Sequence, residues 1–480
     1  MTTTPQPDAS QPVGSLPVGS LPGGIHIDAA LLNRYDRPGP RYTSYPTAVE
    51  FHEGFGAEDY TERLAALSPE AEVSLYVHLP FCDHRCHFCG CHVVATQHLD
   101  VAEIYLTYLR REIEAVATIL GRRPQVSQYH WGGGTPTYYS PEQMRRLQAT
   151  VLEHFDLTPG AEVAIEVDPR VTSTAHIDAL WEMGFNRLSM GVQDFDDDVQ
   201  RAIGRGQTEE QTRSLYHYSR DKGFTSINMD LIYGLPEQTT ESFGATMESV
   251  LELRPDRLAV YSYAHVPWVR SNQKRIDEET LPGRDAKFAL LAQAISTFRG
   301  GGYDQIGMDH FALPEDELAQ ALGRRKLHRN FMGYTVSRAP DMIGLGISAI
   351  GDVAGAYAQN QKKLSTYYAD LDAGRLPIER GYGLSDDDRV RRHIISELMC
   401  NLWLDTKAVE QRYGVDFAVD FATELAALQD GPVADGLAVL HDGAIEVTSL
   451  GQLFVRNVCM PFDAYMEAKK SSGPMFSRTV

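Results

Sequence analysis

Val73-Ser74-Leu75-Tyr76-Val77-His78-Leu79-Pro80-Phe81-Cys82-Asp83-His84-Arg85-Cys86-His87-Phe88-Cys89-Gly90-Cys91 joins a seven-residue apolar run to four cysteines within ten residues. The run reads as a strand buried on both faces, as strands of a parallel sheet are. Five similar runs follow, at Val126–Trp131, Val163–Val167, Arg187–Val192, Ile227–Ile232 and Leu258–Tyr263. Helical patterns lie between them. In Val101–Leu120 the apolar residues Ile104, Tyr105, Tyr108, Leu109, Ile113 and Val116 recur at helical spacing. Ser140-Pro141-Glu142-Gln143 is a capping box with proline at the first helical position. The patterns near His176–Met183 and Glu209–Lys222 stop at Gly184 and Gly223, and Glu241–Leu253 is followed by Pro255. Six βα units predict an α/β fold with a parallel sheet and right-handed crossovers. A closed eight-fold barrel needs two more. The pattern loosens after Tyr263, with Ile306–Phe311 as one further strand, so the expectation is an open, partial TIM-type β/α barrel. A doubly wound sheet is the alternative.

At 480 residues the chain has room for two or three domains. Met1–Gly24 is Pro-, Gly-, Ser- and Thr-rich without Lys or Arg and reads as a disordered leader. Residues 25–67 then form an N-terminal arm, 68–330 the barrel core, and 331–480 a mainly helical C-terminal domain. In the last, Arg389–Leu402 and Val415–Leu428 read as helices. Leu437–Leu440 and Ala444–Thr448 flank a His441-Asp442-Gly443 hairpin turn, giving a winged-helix-like outline. Residues 385–460 carry 13 acidic against 6 basic side chains, which argues against a wing that meets phosphates. The net charge of −21 argues against nucleic acid or an anionic membrane as main partner and favours a monomer. No apolar run reaches the ~18 residues of a membrane span, and a cytoplasmic location is expected.

Without a secretory signal the cysteine cluster means metal or redox chemistry. Three thiolates on a short loop can hold three corners of a cubane iron–sulfur cluster and leave one iron open. The rival is structural zinc, with His84, His87 or His92 as a fourth ligand. Ligands of parallel α/β folds bind at the C-terminal ends of strands, and each strand ends in a candidate. These are Trp131-Gly132-Gly133-Gly134-Thr135-Pro136, Glu166-Val167-Asp168-Pro169-Arg170, Gly191-Val192-Gln193-Asp194, and Asp230 ahead of Tyr233-Gly234-Leu235-Pro236. The glycine run lacks the Gly-Lys-Ser/Thr of a P-loop. Asp230, within an apolar strand, needs a partner, and a structural ion pair would serve.

The C-x3-C-x2-C loop after the first strand resembles the signature of the radical S-adenosylmethionine superfamily. Within it the chain resembles the oxygen-independent coproporphyrinogen III oxidases from about Tyr35 to Val480. Specific pieces are Pro38-Gly39-Pro40-Arg41-Tyr42-Thr43-Ser44-Tyr45-Pro46-Thr47, Phe88-Cys89-Gly90-Cys91, His130–Pro136, Glu166–Arg170, Arg187–Asp194, Gly307–Ala312, His328-Arg329-Asn330-Phe331 and Phe476-Ser477-Arg478. The resemblance implies a [4Fe–4S] cluster on Cys82, Cys86 and Cys89, with Cys91 an extra cysteine that does not ligate. It implies two S-adenosylmethionine molecules. The first would touch Tyr76, Gly133, Glu166, Ala264 and Ile350. The second would touch Phe88, Gly90, Gly134, Thr135, Gln193, Arg205 and Asp230. Gln193, Arg205 and Asp230 would then have no part in holding the cluster. The implied reaction is oxidative decarboxylation of two propionates of coproporphyrinogen III to vinyls by a 5′-deoxyadenosyl radical, with a flavodoxin-type electron donor. A four-carboxylate substrate needs local cations on so acidic a chain; Arg34, Arg37, Arg41, Arg324, Arg325, Lys326, His328 and Arg329 are the candidates. The haem-chaperone relatives and the radical methyltransferases are the competing readings. The Pro38–Thr47 motif argues against both, Cys91 against the chaperones and His328–Phe331 against the methyltransferases.

Overall fold

The six apolar runs become six parallel strands in a computed structural model that describes residues 19–21, 25–27, 29–336, 339, 341–466 and 478. They are β1 Val73–Leu79, β2 Gln125–Gly133, β3 Asp156–Val167, β4 Arg187–Gln193, β5 Ser226–Tyr233 and β6 Arg257–Ser262. Helices Asp100–Leu120 (α1), Pro141–His154 (α2), Thr174–Glu182 (α3), Glu209–Lys222 (α4) and Thr240–Leu253 (α5) make the crossovers, and Arg284–Gly300 (α6) follows β6. In β1 every residue is buried except the half-buried Tyr76, the pattern of a strand covered on both faces. Ser140 caps α2 by accepting from the Gln143 amide, and Gly121 and Gly223 end α1 and α4 in the left-handed region.

The sheet does not end where the strand–helix alternation ends in the sequence. Ile306–Phe311 is not one strand but two, β7 Asp304–Ile306 and β8 His310–Ala312, antiparallel and hinged at Gly307. Further on, β9 Asp341–Leu345 pairs in parallel with β1 on the side away from β2. Strands β10 Ile350–Val353, β11 Ala356–Asn360 and β12 Ile378–Gly383 extend it antiparallel. The order is β7-β8-β6-β5-β4-β3-β2-β1-β9-β10-β11-β12, twelve strands whose ends do not pair among the described residues. The fold is thus the open α/β barrel expected, but its sheet takes in residues 341–383, which the boundary at 330 assigns to a helical domain.

After Gly383 the chain is mostly helical, beginning with α7 Asp386–Asn401. Val415–Leu428 divides at Phe421 into Phe417–Asp420 and Ala422–Leu428. Ala438–His441 and Ala444–Val447 form the hairpin, joined by Trp403–Asp405. Of the leader, Gly19–Leu21 pairs with Ile25–Ile27 and is not disordered; residues 1–18 and 22–24 lie outside the described residues, as do Phe476 and Ser477. Arg478 closes on the arm by pairing with Asp36 (2.7 Å). Among the described residues no helix is long and apolar enough to cross a membrane.

Candidate active site

The cysteine loop leaves β1 at its C-terminal end and is clasped from every side. Val94 and Thr96 amides donate to the Pro80 and Cys82 carbonyls, at 2.8 and 2.9 Å. The glycine turn zips onto the same edge: the Gly134 and Thr135 amides donate to the Leu79 and Phe81 carbonyls, each at 2.9 Å. Thr135 Oγ1 lies 3.3 Å from Cys82 Sγ. This approach requires glycine, since a Cβ at Gly134 would stand 2.5 Å from the Pro80 carbonyl oxygen. Gly133, at φ +117, carries its amide to Glu166 Oε2 at 3.0 Å.

From the far side, Asn272 Nδ2 faces the carbonyls of Cys86, His87 and Cys89 at 3.2, 2.9 and 3.0 Å, and Gln273 donates to Phe88 at 3.0 Å. Sequence reading misses both residues, which sit in a short 3-10 turn with no spacing signature. Replacing Asn272 by leucine leaves three carbonyls short of a donor, a loss of about 1–3 kcal/mol. Iron remaining after a timed chelator challenge should fall well below wild type; equal retention would show that the loop is held elsewhere.

Two guanidiniums face Cys86 Sγ, Arg205 at 3.8 Å and Arg170 at 3.9 Å. Buried Asp168 joins them, 2.6 Å from Arg170 and 3.4 Å from Arg205. Burial alone would raise the Cys86 thiol, but His84, Arg205 and Arg170 hold it below its ordinary value. Cys82, with burial dominant, is pushed up to about 12, and Cys89, hydrogen-bonded to Cys91, is held below its ordinary value. Three thiols on one loop beside two cations suit an anionic thiolate-bound cluster.

The other predicted residues line adjacent strands. Tyr76 donates or accepts at His78 Nδ1 (3.0 Å) and stacks on His130, with ring centres 6.0 Å apart. His130 Nε2 is 3.4 Å from Glu166 Oε1. Burial would raise the Glu166 carboxyl, yet His130 and the Gly133 amide hold it below the usual range. Ile350 lies two strands from Tyr76: Gly344 pairs with Tyr76, and the Ile350 carbonyl fills the space a Gly344 Cβ would take. Asp230, on the opposite side, meets Ser189 (3.2 Å) and Asn228 (2.8 Å). No cation pairs with it among the described residues, so the structural ion pair considered for it is not there. Burial lifts its carboxyl to about 6. Gln193 is buried in the left-handed region at φ +71. Arg205 is held by the Gly191 carbonyl and Gln207, each at 2.8 Å. Phe88 packs against the Val199–Ile203–Leu235 cluster, Ala264 accepts from Gln273, and Gly90 is exposed with open space around it.

Of the eight candidate cations, only Arg41 lines the large cavity at the ends of β5 and β6. It pairs with Asp309 at 2.6 Å. His328 and Arg329 line a smaller pocket. Arg34 pairs with Asp435, and Arg325 stacks on Trp403 at 4.0 Å. Arg324 and Lys326 are exposed near Gly323, and Arg37 is exposed in the arm.

Residues 76–250 match the radical SAM superfamily profile, and residues 384–454 match that of the HemN C-terminal domain. An oxygen-independent coproporphyrinogen III oxidase of Salmonella typhimurium is 47% identical over 95% of this chain and 99% of its own. One from Helicobacter pylori is 43% identical, with the same coverage. The coproporphyrinogen III oxidase structure from Escherichia coli, a radical SAM enzyme, superposes with a TM-score of 0.86 at 46% identity, covering 88% of this chain and 97% of that one. With the three-cysteine loop, the glycine turn and Glu166 gathered at one end of an open barrel, the chain belongs to the oxygen-independent coproporphyrinogen III oxidase family.

Proposed function

We propose that the chain oxidatively decarboxylates the ring A and B propionates of coproporphyrinogen III to vinyls, giving protoporphyrinogen IX. The observation that carries the reading is that the chain entering the Cys82–Cys89 loop is locked at Leu79 and Phe81 by backbone hydrogen bonds from the Gly132–Thr135 turn, one strand from Glu166. When bound, a [4Fe–4S] cluster and S-adenosylmethionine supply a 5′-deoxyadenosyl radical, which can take hydrogen from a carbon that no side-chain base could deprotonate. The chain's own residues hold and shield that chemistry. Cys82, Cys86 and Cys89 are the ligands. The Gly133 backbone, Tyr76 and Glu166 receive the methionine and ribose groups of one S-adenosylmethionine. The pocket of Gln193 and Asp230, toward Gly134 and Thr135, takes a second. Each substrate radical releases CO2 and one electron to an external acceptor as its vinyl forms. A flavodoxin-type protein is the electron donor we expect, and the charge of −21 favours a monomer.

The test is an anaerobic assay of the reconstituted protein with coproporphyrinogen III, S-adenosylmethionine and a reductant. Vinyl product with 5′-deoxyadenosine is expected, and air should bleach the protein and stop turnover. Full activity in air, tight haem binding without turnover, or a methylated product would each overturn the reading.

A further inference from the structure

A cavity of about 960 Å³ opens at the C-terminal ends of β5 and β6, between α6, the arm and residues 453–456. That is the size of a pocket for a large organic ligand. Five basic side chains line it, Arg41, Arg284, Lys287, Arg456 and Arg478, against the three acids Asp36, Asp285 and Asp309, in a chain of net charge −21. Apolar walls complete it, among them Phe288, Met308 and the largely exposed Trp268. It adjoins the cofactor site. Gln273 Nε2 donates both to Ala264, which lines the cavity, and to Phe88 of the cysteine loop, at 3.1 and 3.0 Å.

Lys287 is the unusual member. Its Nζ donates to the Tyr263 carbonyl at 2.8 Å and sits 6.0 Å from the Tyr233 ring centre. Its stem crosses Gly234, where φ is +83 and a Cβ would stand 2.9 Å from Lys287 Cε. Among the described residues no carboxylate lies within 4.0 Å of the ammonium. Asp36 is taken by Arg478, and Asp309 by Arg41 and His310. A buried ammonium without a counter-ion is costly. Burial lowers its pKa to about 8; the attraction of Asp36 resists this, and the repulsion of Arg41, Arg456 and Arg478 adds to it, so an anion entering among these four cations would be held.

We propose that this cavity is the carboxylate-binding half of the active site, and that Lys287 takes a propionate of the substrate that survives the reaction. The proposal rests on the decarboxylase reading. A propionate that departs as neutral CO2 loses its charge, so an ion pair to it would favour the ground state and oppose the reaction. A retained propionate keeps its charge throughout, and binding it costs the chemical step nothing.

The experiment compares wild type, Lys287→Met, Lys287→Arg and Gly234→Ala as anaerobically reconstituted holoproteins. Iron content and S-adenosylmethionine binding report on folding. Fluorescence titration with coproporphyrin III and protoporphyrin IX, and kcat and KM on coproporphyrinogen III, report on the site. Lys287→Met should weaken both porphyrins by about ten-fold or more and raise KM in proportion with kcat little changed. Lys287→Arg should restore most of the affinity. Gly234→Ala, which displaces the lysine stem and leaves every charge in place, should repeat the pattern more weakly. Unchanged affinity in Lys287→Met or in Gly234→Ala, loss confined to coproporphyrin III, or a fall in kcat at constant KM would each overturn the proposal. A wild type that neither binds coproporphyrin III nor forms vinyl product would instead defeat the decarboxylase reading itself.

Discussion

Cys86→Ser should leave anaerobically purified protein with almost no iron and no cluster absorbance, and Cys82→Ser and Cys89→Ser should do the same. A cluster held by three thiolates on one loop has no spare ligand, because the loop is fixed by neighbours that cannot follow a substitution. Asn272 and Gln273 grip its carbonyls, the glycine turn closes its edge, and Arg170 and Arg205 face the Cys86 sulfur. Serine is a far poorer ligand to soft iron–sulfur iron than thiolate. Cys91 differs. It is exposed, and its thiol meets Cys89 rather than the cationic pocket. Cys91→Ser should therefore keep the cluster, with a modest change in its lability. Iron quantitation with the visible spectrum decides both halves. Iron lost from Cys91→Ser, or stoichiometric zinc in the wild type, would remove the three-ligand assignment.

The barrel's six parallel strands are readable from sequence because each carries a buried apolar set, nearly continuous in β1 and alternating with half-buried positions in β4 and β5, and helical patterns with glycine or capping signals lie between them. The flanking strands leave no such trace. Strands β10 to β12 have four to six residues each and carry Asp352, Gln359, Asn360 and Arg380, so neither alternation nor an apolar run marks them. The Ile306–Phe311 run looks continuous but turns at Gly307, where the Tyr334 hydroxyl occupies the space of a side chain. Only the tertiary structure creates that demand. The site divides in the same way. The cysteines and the glycine turn are local in sequence, and their spacing reveals them. Lys287 is a single lysine in the first turn of α6, indistinguishable from a solvent-facing one until Gly234 and the Tyr263 carbonyl are brought beside it. Arg34 and Arg325 show the reverse case, cations that look available in sequence and are committed to Asp435 and Trp403 in the fold.

Asp230 and Arg205, paired in sequence as contacts of one pocket, should separate by experiment. Asp230 is a buried carboxylate held by Ser189 and Asn228, with no hydrogen bond to the cysteines; Glu166 and His310 are the titratable groups that act on it. Asp230→Asn preserves size and much of the hydrogen bonding, so iron content should stay at the wild-type level. What it loses is charge-assisted acceptance toward a ribose, about 1.5–3 kcal/mol, or ten-fold or more in S-adenosylmethionine affinity. Vinyl product should fall with it. Arg205 touches Cys86, Asp168, Gly191 and Gln207 at once, so it does have a part in holding the cysteine loop, contrary to the sequence expectation. Arg205→Ala leaves buried Asp168 with Arg170 alone and removes positive charge facing the Cys86 thiolate. Uncompensated buried charge is among the larger destabilising effects of a single substitution. Iron in Arg205→Ala should drop to a minor fraction of wild type, and product formation with it. Measuring iron, S-adenosylmethionine binding and vinyl product on both variants separates the two roles. Full iron in Arg205→Ala would return that arginine to pure cofactor binding, and iron lost from Asp230→Asn would make the strand aspartate a structural residue.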